Sequence, residues 1–558
     1  MNTTRDNSRT SGRSTQAAGR AGKPTLEDPS KDRVVTLAAL SRQLPDRLLA
    51  RQLAGQLKEE TGRSVLLIHL GSTGGSRLNW NRITPRGNGE FSLAGHLQVL
   101  GSMAGELTVD VAQAGWRNGQ LKSLLQHCQE HFHYILLRTD AGVAVPLLND
   151  CLHQSGRAFL LIQPRSKDLY HRDLLLRELR SDPSQGLGTI RTVFCRSKGE
   201  PHQSELLRNI QAGQHAYVHD CPAVGSTEEE ADFTASFKED LRRLAREIGR
   251  CRVGLALSSG GARGLAHVGV LQVLEENGIH IDVVAGCSMG SYVGAVWAFG
   301  YDGVYMEKLA REVEHRWGIF ELVDPFLFPR RGFMRGDKVK NRLQRSIGDV
   351  HFAELRRPFR VVATNLSTLE RVVFSTGEVA EAVHASSAIP GTCAPVTING
   401  VQYTDGGVCD PMPVDLLEDM GIEKIIAVNT IPTPALMRYS EELRRESMVA
   451  GRPRSNRLAN LLNQYVNYFA PGNILDTIFR SFHGAQMRVA EQACRRADLV
   501  IRPICFDGRW HDFTHPGKYI AIGRREAESR LDQVKALLKR SPQNHENRTT
   551  HNTLATVA

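Results

Sequence analysis

Two stretches of the chain decide its fold. Residues 253–264 read Val-Gly-Leu-Ala-Leu-Ser-Ser-Gly-Gly-Ala-Arg-Gly, and residues 283–291 read Val-Val-Ala-Gly-Cys-Ser-Met-Gly-Ser. Each begins as a short apolar run typical of a buried strand, passes through small residues and continues into apolar helical sequence. The second contains G-x-S-x-G, the pattern of a nucleophile elbow, in which a sharp turn between strand and helix exposes the serine hydroxyl. The sequence therefore predicts two strand–turn–helix units, with Ser288 between Gly286 and Gly290 as a candidate nucleophile.

The glycine-rich turn of the first stretch is a candidate oxyanion hole. Without side chains at Gly260 and Gly261, the backbone N–H groups can point into a cavity at a helix N-terminus. Preorganised N–H donors of this kind stabilise the negative charge that develops on a reacting carbonyl oxygen. By itself a glycine-rich turn is equally typical of a dinucleotide site, so the assignment depends on its neighbours in the sequence.

A candidate base follows later in the chain, where residues 403–407 read Tyr-Thr-Asp-Gly-Gly. Asp405 can approach a serine closely in such a turn, although an ordinary Asp-Gly turn has the same sequence. His267 and His384 are alternative candidates for the third member of a triad, but both precede Asp405, and packed or capping roles are expected for them. A dyad without histidine requires Asp405 within hydrogen-bonding distance of Ser288 Oγ, about 2.6–3.2 Å.

Together these three motifs resemble the patatin-like phospholipase family. The resemblance extends over roughly residues 252–430, includes residues 385–391 (Ala-Ser-Ser-Ala-Ile-Pro-Gly), and continues weakly to about residue 525. It implies a three-layer α/β/α domain, a catalytic dyad of Ser288 and Asp405, and an oxyanion loop at Gly260–Ala262. The flanking regions resemble the neuropathy-target-esterase branch of lysophospholipases.

The resemblance also assigns supporting positions to the motifs. These positions are Arg263, Gly264, Gly286, Gly290, Gly406 and Gly407. Arg263 is expected to support the loop or a lipid phosphate, with a surface ion pair as the alternative. One departure is that Ser258 and Ser259 stand where the family usually has glycines, which is unfavourable if those positions need a positive φ.

Composition restricts the class of protein around this domain. The chain has 558 residues, 41% of them hydrophobic and 23% charged, which suits two or three globular domains. The net charge of +10 comes from 70 basic and 60 acidic residues that are intermixed, so no nucleic-acid partner is expected. Ten cysteines without a CxxC pair or a zinc-ligand cluster indicate no metal and a reducing, cytoplasmic location. No cofactor is expected.

Strand and helix patterns alternate through most of the chain, which predicts α/β architecture with parallel sheets. We expect disordered tails at 1–32 and 541–558, a smaller Rossmann-like α/β domain at 33–225, a catalytic domain at 226–430, and a helical C-terminal part of that domain at 431–540. The smaller domain is expected to be non-catalytic, because the Gly-rich loop at 71–76 lacks the lysine of a phosphate-binding P-loop. Thr227 and Glu230 have capping-box spacing and predict a helix start between these domains.

Membrane contact is expected without a spanning segment, since no run of about 18 apolar residues occurs. Aromatic residues beside arginines at 317–334 and 461–482 suit either an interfacial surface or core packing. The leading hypothesis is a serine acyl hydrolase that cleaves fatty-acyl esters of phospholipids or lysophospholipids, peripheral at the inner face of the membrane. The alternative is a catalytically weak lipid- or protein-binding module that keeps the same fold.

Overall fold

A computed structural model describes residues 31–71, 98–99, 104–110, 120–180, 189–199, 215–229, 231–314, 324, 332–438, 442, 474–505, 508 and 511–539. The described residues contain two sheets, one in each half of the chain. The predicted tails and most of the two aromatic clusters lie outside these ranges, as does most of the Gly-rich loop at 71–76.

The first sheet has the order β3-β4-β2-β5-β1-β6-β7-β8 and is parallel except for the β3–β4 pair. Its strands are β1 Val34–Ala39, β2 Val65–Gly71, β3 Gln98–Val99, β4 Ala104–Asp110, β5 Tyr134–Thr139, β6 Arg157–Ile162, β7 Thr189–Ser197 and β8 His215–Cys221. The accompanying helices are α1 Asp46–Thr61, α2 Gln120–His131, α3 Val145–Gln154, α4 Ser166–Arg180 and α5 Ala235–Ile248. Five of these strands coincide with short, largely apolar runs of the sequence, namely β1, β2, β5, β6 and β7.

Helices cover both faces of this sheet. The leucines at 49, 53 and 57, spaced four residues apart, are all buried on α1, which packs with α5 against one face. Helices α2 and α3 cover the other face with a second apolar cluster. Burial on both faces explains why the four central strands, β2, β5, β1 and β6, are mostly apolar and do not alternate with polar residues.

Helix α5 begins later than the sequence predicted. Thr227 lies in a turn, and the N-cap is Thr234, whose Oγ1 accepts a hydrogen bond from the Phe237 backbone N–H. The capping-box spacing at Thr227 therefore misplaced the helix start, because a Thr-x-x-Glu pattern occurs in turns as well as at helix ends. The apolar stripe of α5, from Phe237 to Ile248, is buried and packs into the core of the first sheet.

The second sheet has the order β13-β14-β11-β10-β9-β15-β16, with β12 added to β11. Its strands are β9 Val253–Leu257, β10 Val283–Cys287, β11 Phe359–Asn365, β12 Arg371–Phe374, β13 Val396–Ile398, β14 Val401–Asp405, β15 Lys424–Val428 and β16 Leu499–Ile501. The helices are α6 Ala266–Glu276, α7 Met289–Phe299, α8 Gly303–Arg311, α9 Asp337–Ile347, α10 Val379–Ser386, α11 Val414–Asp419, α12 Ile474–Cys494 and α13 Pro516–Lys539.

Two apolar clusters separate the layers of this second half. One packs α6, α7, α9, α10 and α13 against one face of the sheet, and the other packs α11 and α12 against the opposite face. The predicted α/β class and three-layer α/β/α arrangement are thereby confirmed. Because β9, β10, β11 and β15 run parallel, the loops that follow β9 and β10 emerge at the same edge of the sheet.

All ten cysteines lie in described ranges, and all are free thiols. Among the helices that the structure describes, none combines the length and the apolar character needed to cross a membrane.

Candidate active site

Ser288 occupies a strained turn between β10 and α7. Its backbone has φ 51° and ψ −120°, a conformation that L-residues rarely adopt. A Cβ at Gly286 would lie 2.5 Å from the carbonyl oxygen of Gly290, and a Cβ at Gly290 would meet the carbonyl oxygen of Leu257. The two flanking glycines are thus required by close backbone approach, which explains the G-x-S-x-G spacing.

Asp405 lies at the end of β14 and contacts Ser288 directly. The Ser288 hydroxyl donates to Asp405 Oδ2 at 2.7 Å, and the Gly407 backbone N–H donates to Oδ1 at 2.7 Å. The Asp405 side chain is buried, and burial raises the pKa of its carboxyl to about 6. The hydrogen bonds from Ser288 and Gly407 oppose this effect and favour the charged form. The structure therefore brings the two predicted dyad residues into hydrogen-bonding contact.

The predicted oxyanion loop lies beside this pair. Gly260 and Gly261 line the same small cavity as Ser288 and Asp405, and Gly261 has a positive φ of 56°. Gly261–Leu265 is a 3₁₀ turn, so the N–H groups at its start have no partner within the turn. Within the described ranges no acceptor is assigned to the N–H groups of Gly260, Gly261 or Ala262. The Ala262 side chain itself packs away from the cavity, against Ala266, Cys505 and Tyr519.

Ser258 and Ser259 hold the loop in place. The Ser258 backbone N–H donates to Val428 O, and the Thr430 backbone N–H donates to Ser258 Oγ at 2.9 Å. The Ser259 backbone N–H donates to Pro411 O. Neither serine has a positive φ, so the replacement of glycine at these positions introduces no backbone strain. The Ser258 hydroxyl anchors the loop to the end of β15.

The remaining glycines of the motifs allow other close approaches around the pair. A Cβ at Gly264 would lie 2.5 Å from Met289 Cγ, which shows how tightly the loop contacts the elbow. A Cβ at Gly406 would meet the carbonyl oxygen of Val362, and one at Gly407 would meet the amide of Gln486. The motif glycines are therefore explained by packing around the Ser288–Asp405 contact.

Arg263 lines the small cavity together with Ser288 and Asp405. Its guanidinium forms no ion pair with any residue in the part of the chain that the structure describes, and desolvation by burial lowers its pKa. The surface ion pair considered as an alternative for Arg263 is not found among these residues. A cationic side chain without a carboxylate partner thus faces the space beside the candidate nucleophile.

Neither histidine considered from the sequence contacts the pair. His267 is fully buried, its Nε2 donates to Ser258 O at 2.9 Å, and burial lowers its pKa to about 4. His384 is buried near Gly336, and desolvation by burial likewise lowers its pKa. Both side chains are packed, as the sequence analysis expected.

An apolar cavity of about 240 Å³ opens beside Ser288. Its walls come from α6, α7, α8 and α9 and from the segments around Met334 and Ile389. The apolar wall residues include Val268, Tyr292, Val293, Val296, Met306, Leu309, Val313, Val339 and Phe513. A cavity with apolar walls that opens beside the Ser288 hydroxyl suits a hydrocarbon chain attached to a polar group.

Three residues at the site were missed from the sequence. Ser386 Oγ accepts a hydrogen bond from the Ser288 backbone N–H at 2.8 Å and donates to Val362 O. Gln486 donates to Gly407 O at 3.1 Å, and His483 lines the small cavity. For Ser386 the signal was its place in the 385–391 stretch. Gln486 and His483 lie on α12, far from the motifs in sequence, and carried no signal.

The fold and the site define a class: a three-layer α/β/α protein with a nucleophile elbow, a contacting aspartate and a glycine-rich loop. Residues 255–418 match the family model described as patatin-like phospholipase. Residues 255–418 therefore form a patatin-like phospholipase domain, and the relatives that match it include proteins named lysophospholipase NTE1 and NTE family protein.

Two curated relatives illustrate the similarity. A lysophospholipase NTE1 of Candida glabrata is 32% identical over 212 residues, covering 37% of this chain and 12% of that protein. An uncharacterized NTE family protein of Mycobacterium bovis is 39% identical over 178 residues, covering 32% of this chain and 49% of that protein. This chain therefore matches less than half the length of either relative.

Among solved structures, VipD from Legionella pneumophila is 16% identical, with a TM-score of 0.32 over 51% of this chain and 67% of that chain.

Proposed function

We propose that the protein is a serine acyl hydrolase that cleaves fatty-acyl esters of phospholipids or lysophospholipids through a Ser288–Asp405 dyad. The observation that carries this proposal is the 2.7 Å hydrogen bond from Ser288 Oγ to Asp405 Oδ2. It lies at a strained elbow, beside an apolar cavity and a loop with N–H groups available for an oxyanion.

In the proposed reaction, Ser288 Oγ attacks the ester carbonyl carbon while Asp405 takes the hydroxyl proton. The carbonyl oxygen becomes an oxyanion held by the N–H groups of Gly260, Gly261 and Ala262. Collapse breaks the ester C–O bond, and the departing alcohol takes the proton from Asp405. Water then attacks the acyl-enzyme with Asp405 again as the base, releasing the fatty acid and restoring the Ser288 hydroxyl.

The lipid specificity is supported by two features of the site. The apolar cavity accommodates the acyl chain, and Arg263 provides a positive charge for a phosphate group on the polar side of the ester. The lysophospholipase name of the Candida relative is consistent with this arrangement. Peripheral binding at the cytoplasmic face of a membrane belongs to the same proposal, since such substrates reside in bilayers.

The test combines labelling and hydrolysis. A fluorophosphonate probe should label the purified chain at Ser288, and Ser288→Ala should abolish labelling and lower ester hydrolysis by about 10³-fold or more. Ser529→Ala serves as a matched control, because Ser529 is exposed on α13 and remote from the motifs. A catalytically weak binding module would show no labelling of the folded wild type, and hydrolysis that survives in Ser288→Ala would refute the assignment.

A further inference from the structure

A second cavity, of about 100 Å³, lies where the two sheets meet. One wall comes from the first sheet, with Arg191 on β7 and Tyr217 and His219 on β8. The opposite wall comes from the second sheet, with Val283 at the start of β10 and Phe359 and Arg360 at the start of β11. These are the amino ends of the strands, so the cavity lies at the opposite edge of the sheet from Ser288.

Arginines outnumber carboxylates in the walls of this interdomain cavity. The arginines are Arg191, Arg243, Arg252, Arg356 and Arg360, and the carboxylates are Asp240, Glu247 and Asp282. Each carboxylate already has an arginine partner: Asp240 pairs with Arg243, Glu247 with Arg191, and Asp282 with Arg246 outside the cavity. Pairing within the walls therefore leaves positive charge in excess.

Arg252 pairs with Glu423 outside the cavity, so the excess resides on Arg360 and Arg356. The Arg360 guanidinium donates one hydrogen bond, to Phe359 O at 2.8 Å, and has no carboxylate within salt-bridge distance among the described residues. Burial, together with the smaller effect of the neighbouring Arg191, lowers the pKa of Arg360 to about 10. Arg356 is exposed at the cavity mouth and likewise forms no ion pair within the described ranges. A desolvated cation without a counter-charge is costly, which indicates that an anion completes the site.

The chemistry of the walls favours a phosphate group. A phosphate monoester carries close to two negative charges at neutral pH and would balance both free guanidinium groups, whereas a carboxylate supplies one. The Tyr217 ring, stacked between Phe194 at 5.5 Å and His219 at 5.9 Å, provides a rigid aromatic wall. A volume of about 100 Å³ admits a phosphate group with a small organic substituent, since one water needs only about 10–15 Å³ on this measure.

We propose that the interdomain cavity binds the phosphate group of a small phosphomonoester or of orthophosphate, with Arg360 and Arg356 as its charged ligands. The site is separate from the proposed active site and does not depend on hydrolysis. Its location between the sheets means that the bound anion would contact both halves of the chain.

The experiment measures binding on the full chain. Orthophosphate and glycerol 3-phosphate are titrated in separate calorimetric runs at constant ionic strength, with thermal melting in parallel. At least one of them should bind and raise Tm, and the tighter of the two identifies the source of the phosphate. Arg360→Gln should weaken binding by about tenfold or more, because it removes a charge-assisted contact. Arg345→Gln, which changes an exposed arginine on α9 outside the cavity, should bind as the wild type does.

Absence of binding of both ligands to the wild type would overturn the proposal, and so would equal affinity in Arg360→Gln. If Arg360→Gln does not fold, Arg356→Gln decides the question, since its exposed side chain can be changed without disturbing the interior. Weaker binding in Arg356→Gln would support the site, and unchanged binding would overturn it. None of these outcomes depends on esterase activity.

Discussion

The backbone N–H of Ser288 donates to the hydroxyl of Ser386 at 2.8 Å, and that hydroxyl donates in turn to Val362 O on the neighbouring strand β11. Ser386 is fully buried at the end of α10. Its single hydroxyl thus connects the strained elbow to the central sheet and fixes the position of the Ser288 backbone.

We predict that Ser386→Ala lowers kcat by about 10- to 100-fold and leaves KM nearly unchanged. The substitution leaves the Ser288 N–H and the Val362 carbonyl without their partner, so the elbow loses its positioning while the acyl cavity stays intact. Steady-state kinetics on a soluble ester measure both constants. Ser367→Ala, in an exposed loop, is the control. If Ser386→Ala lowers the stability of the protein and changes KM but leaves kcat as in the wild type, Ser386 has a structural role only.

Asp405→Asn should abolish hydrolysis, by about 10³-fold or more, and should stabilise the protein at neutral pH. The amide cannot accept the Ser288 proton, but it removes a buried negative charge. Burial raises the pKa of Asp405 from 3.8 to about 6. At about 1.36 kcal/mol per pKa unit, the charged form costs up to roughly 3 kcal/mol of stability.

The pH dependence of this stability difference has a definite sign. A carboxyl whose pKa is raised on folding binds its proton more tightly in the native state, so the native state gains stability as pH falls from about 6 toward 4. The Tm advantage of Asp405→Asn over wild type should therefore be full above pH 6 and vanish below about pH 4. Melting curves at several pH values measure it, and an advantage that grows toward acid would contradict the assignment.

Features of the fold and the site that depend on residues close together in the sequence were predictable, whereas contacts between residues far apart in the sequence were not. The elbow at Ser288 and the turn at Asp405 are local, because close approaches force glycines at 286, 290, 406 and 407. Parallel sheets followed from the continuous apolar runs. The hydrogen-bond partners of the motif residues were not predictable. Ser258 bonds to Thr430, 172 positions later, and Gln486 bonds to Gly407, 79 positions earlier. Only the folded chain brings such polar residues together, and polar residues carry no periodic signal.

His483→Ala should retain more than about half of wild-type kcat. His483 lines the small cavity and follows Asp405 in the chain, which is the order of serine, acid and histidine in α/β-hydrolases. However, Asp405 already accepts the Ser288 hydroxyl directly, so no imidazole is needed between them. Kinetics of the folded variant provide the measurement. A loss of activity comparable to that of Ser288→Ala would replace the dyad with a triad.

Leu309→Trp should discriminate between substrates by chain length. Leu309 lines the apolar cavity from α8 and is only partly buried, so an indole can replace it without displacing the core. The larger side chain should fill space needed by a long acyl chain, reducing kcat/KM for palmitoyl esters by about tenfold or more while butyryl esters react as before. Leu309→Val is the matched control. Equal effects on both chain lengths would show that the acyl chain binds elsewhere.

Arg263→Gln should reduce the preference for charged lipids without removing catalysis. Arg263 faces the small cavity beside Ser288, and its guanidinium has no ion-pair partner among the described residues. A phosphate on the substrate would supply the missing counter-charge, and charge-assisted hydrogen bonds contribute about 1.5–3 kcal/mol each. KM for a lysophospholipid should therefore rise about tenfold or more, whereas a neutral p-nitrophenyl ester should be hydrolysed at a nearly unchanged rate. Arg263→Lys keeps the charge but not the forked set of guanidinium donors, so its KM for the lysophospholipid should lie between those of the wild type and Arg263→Gln. If the neutral ester loses as much activity as the lysophospholipid, Arg263 supports the oxyanion loop and does not bind the head group.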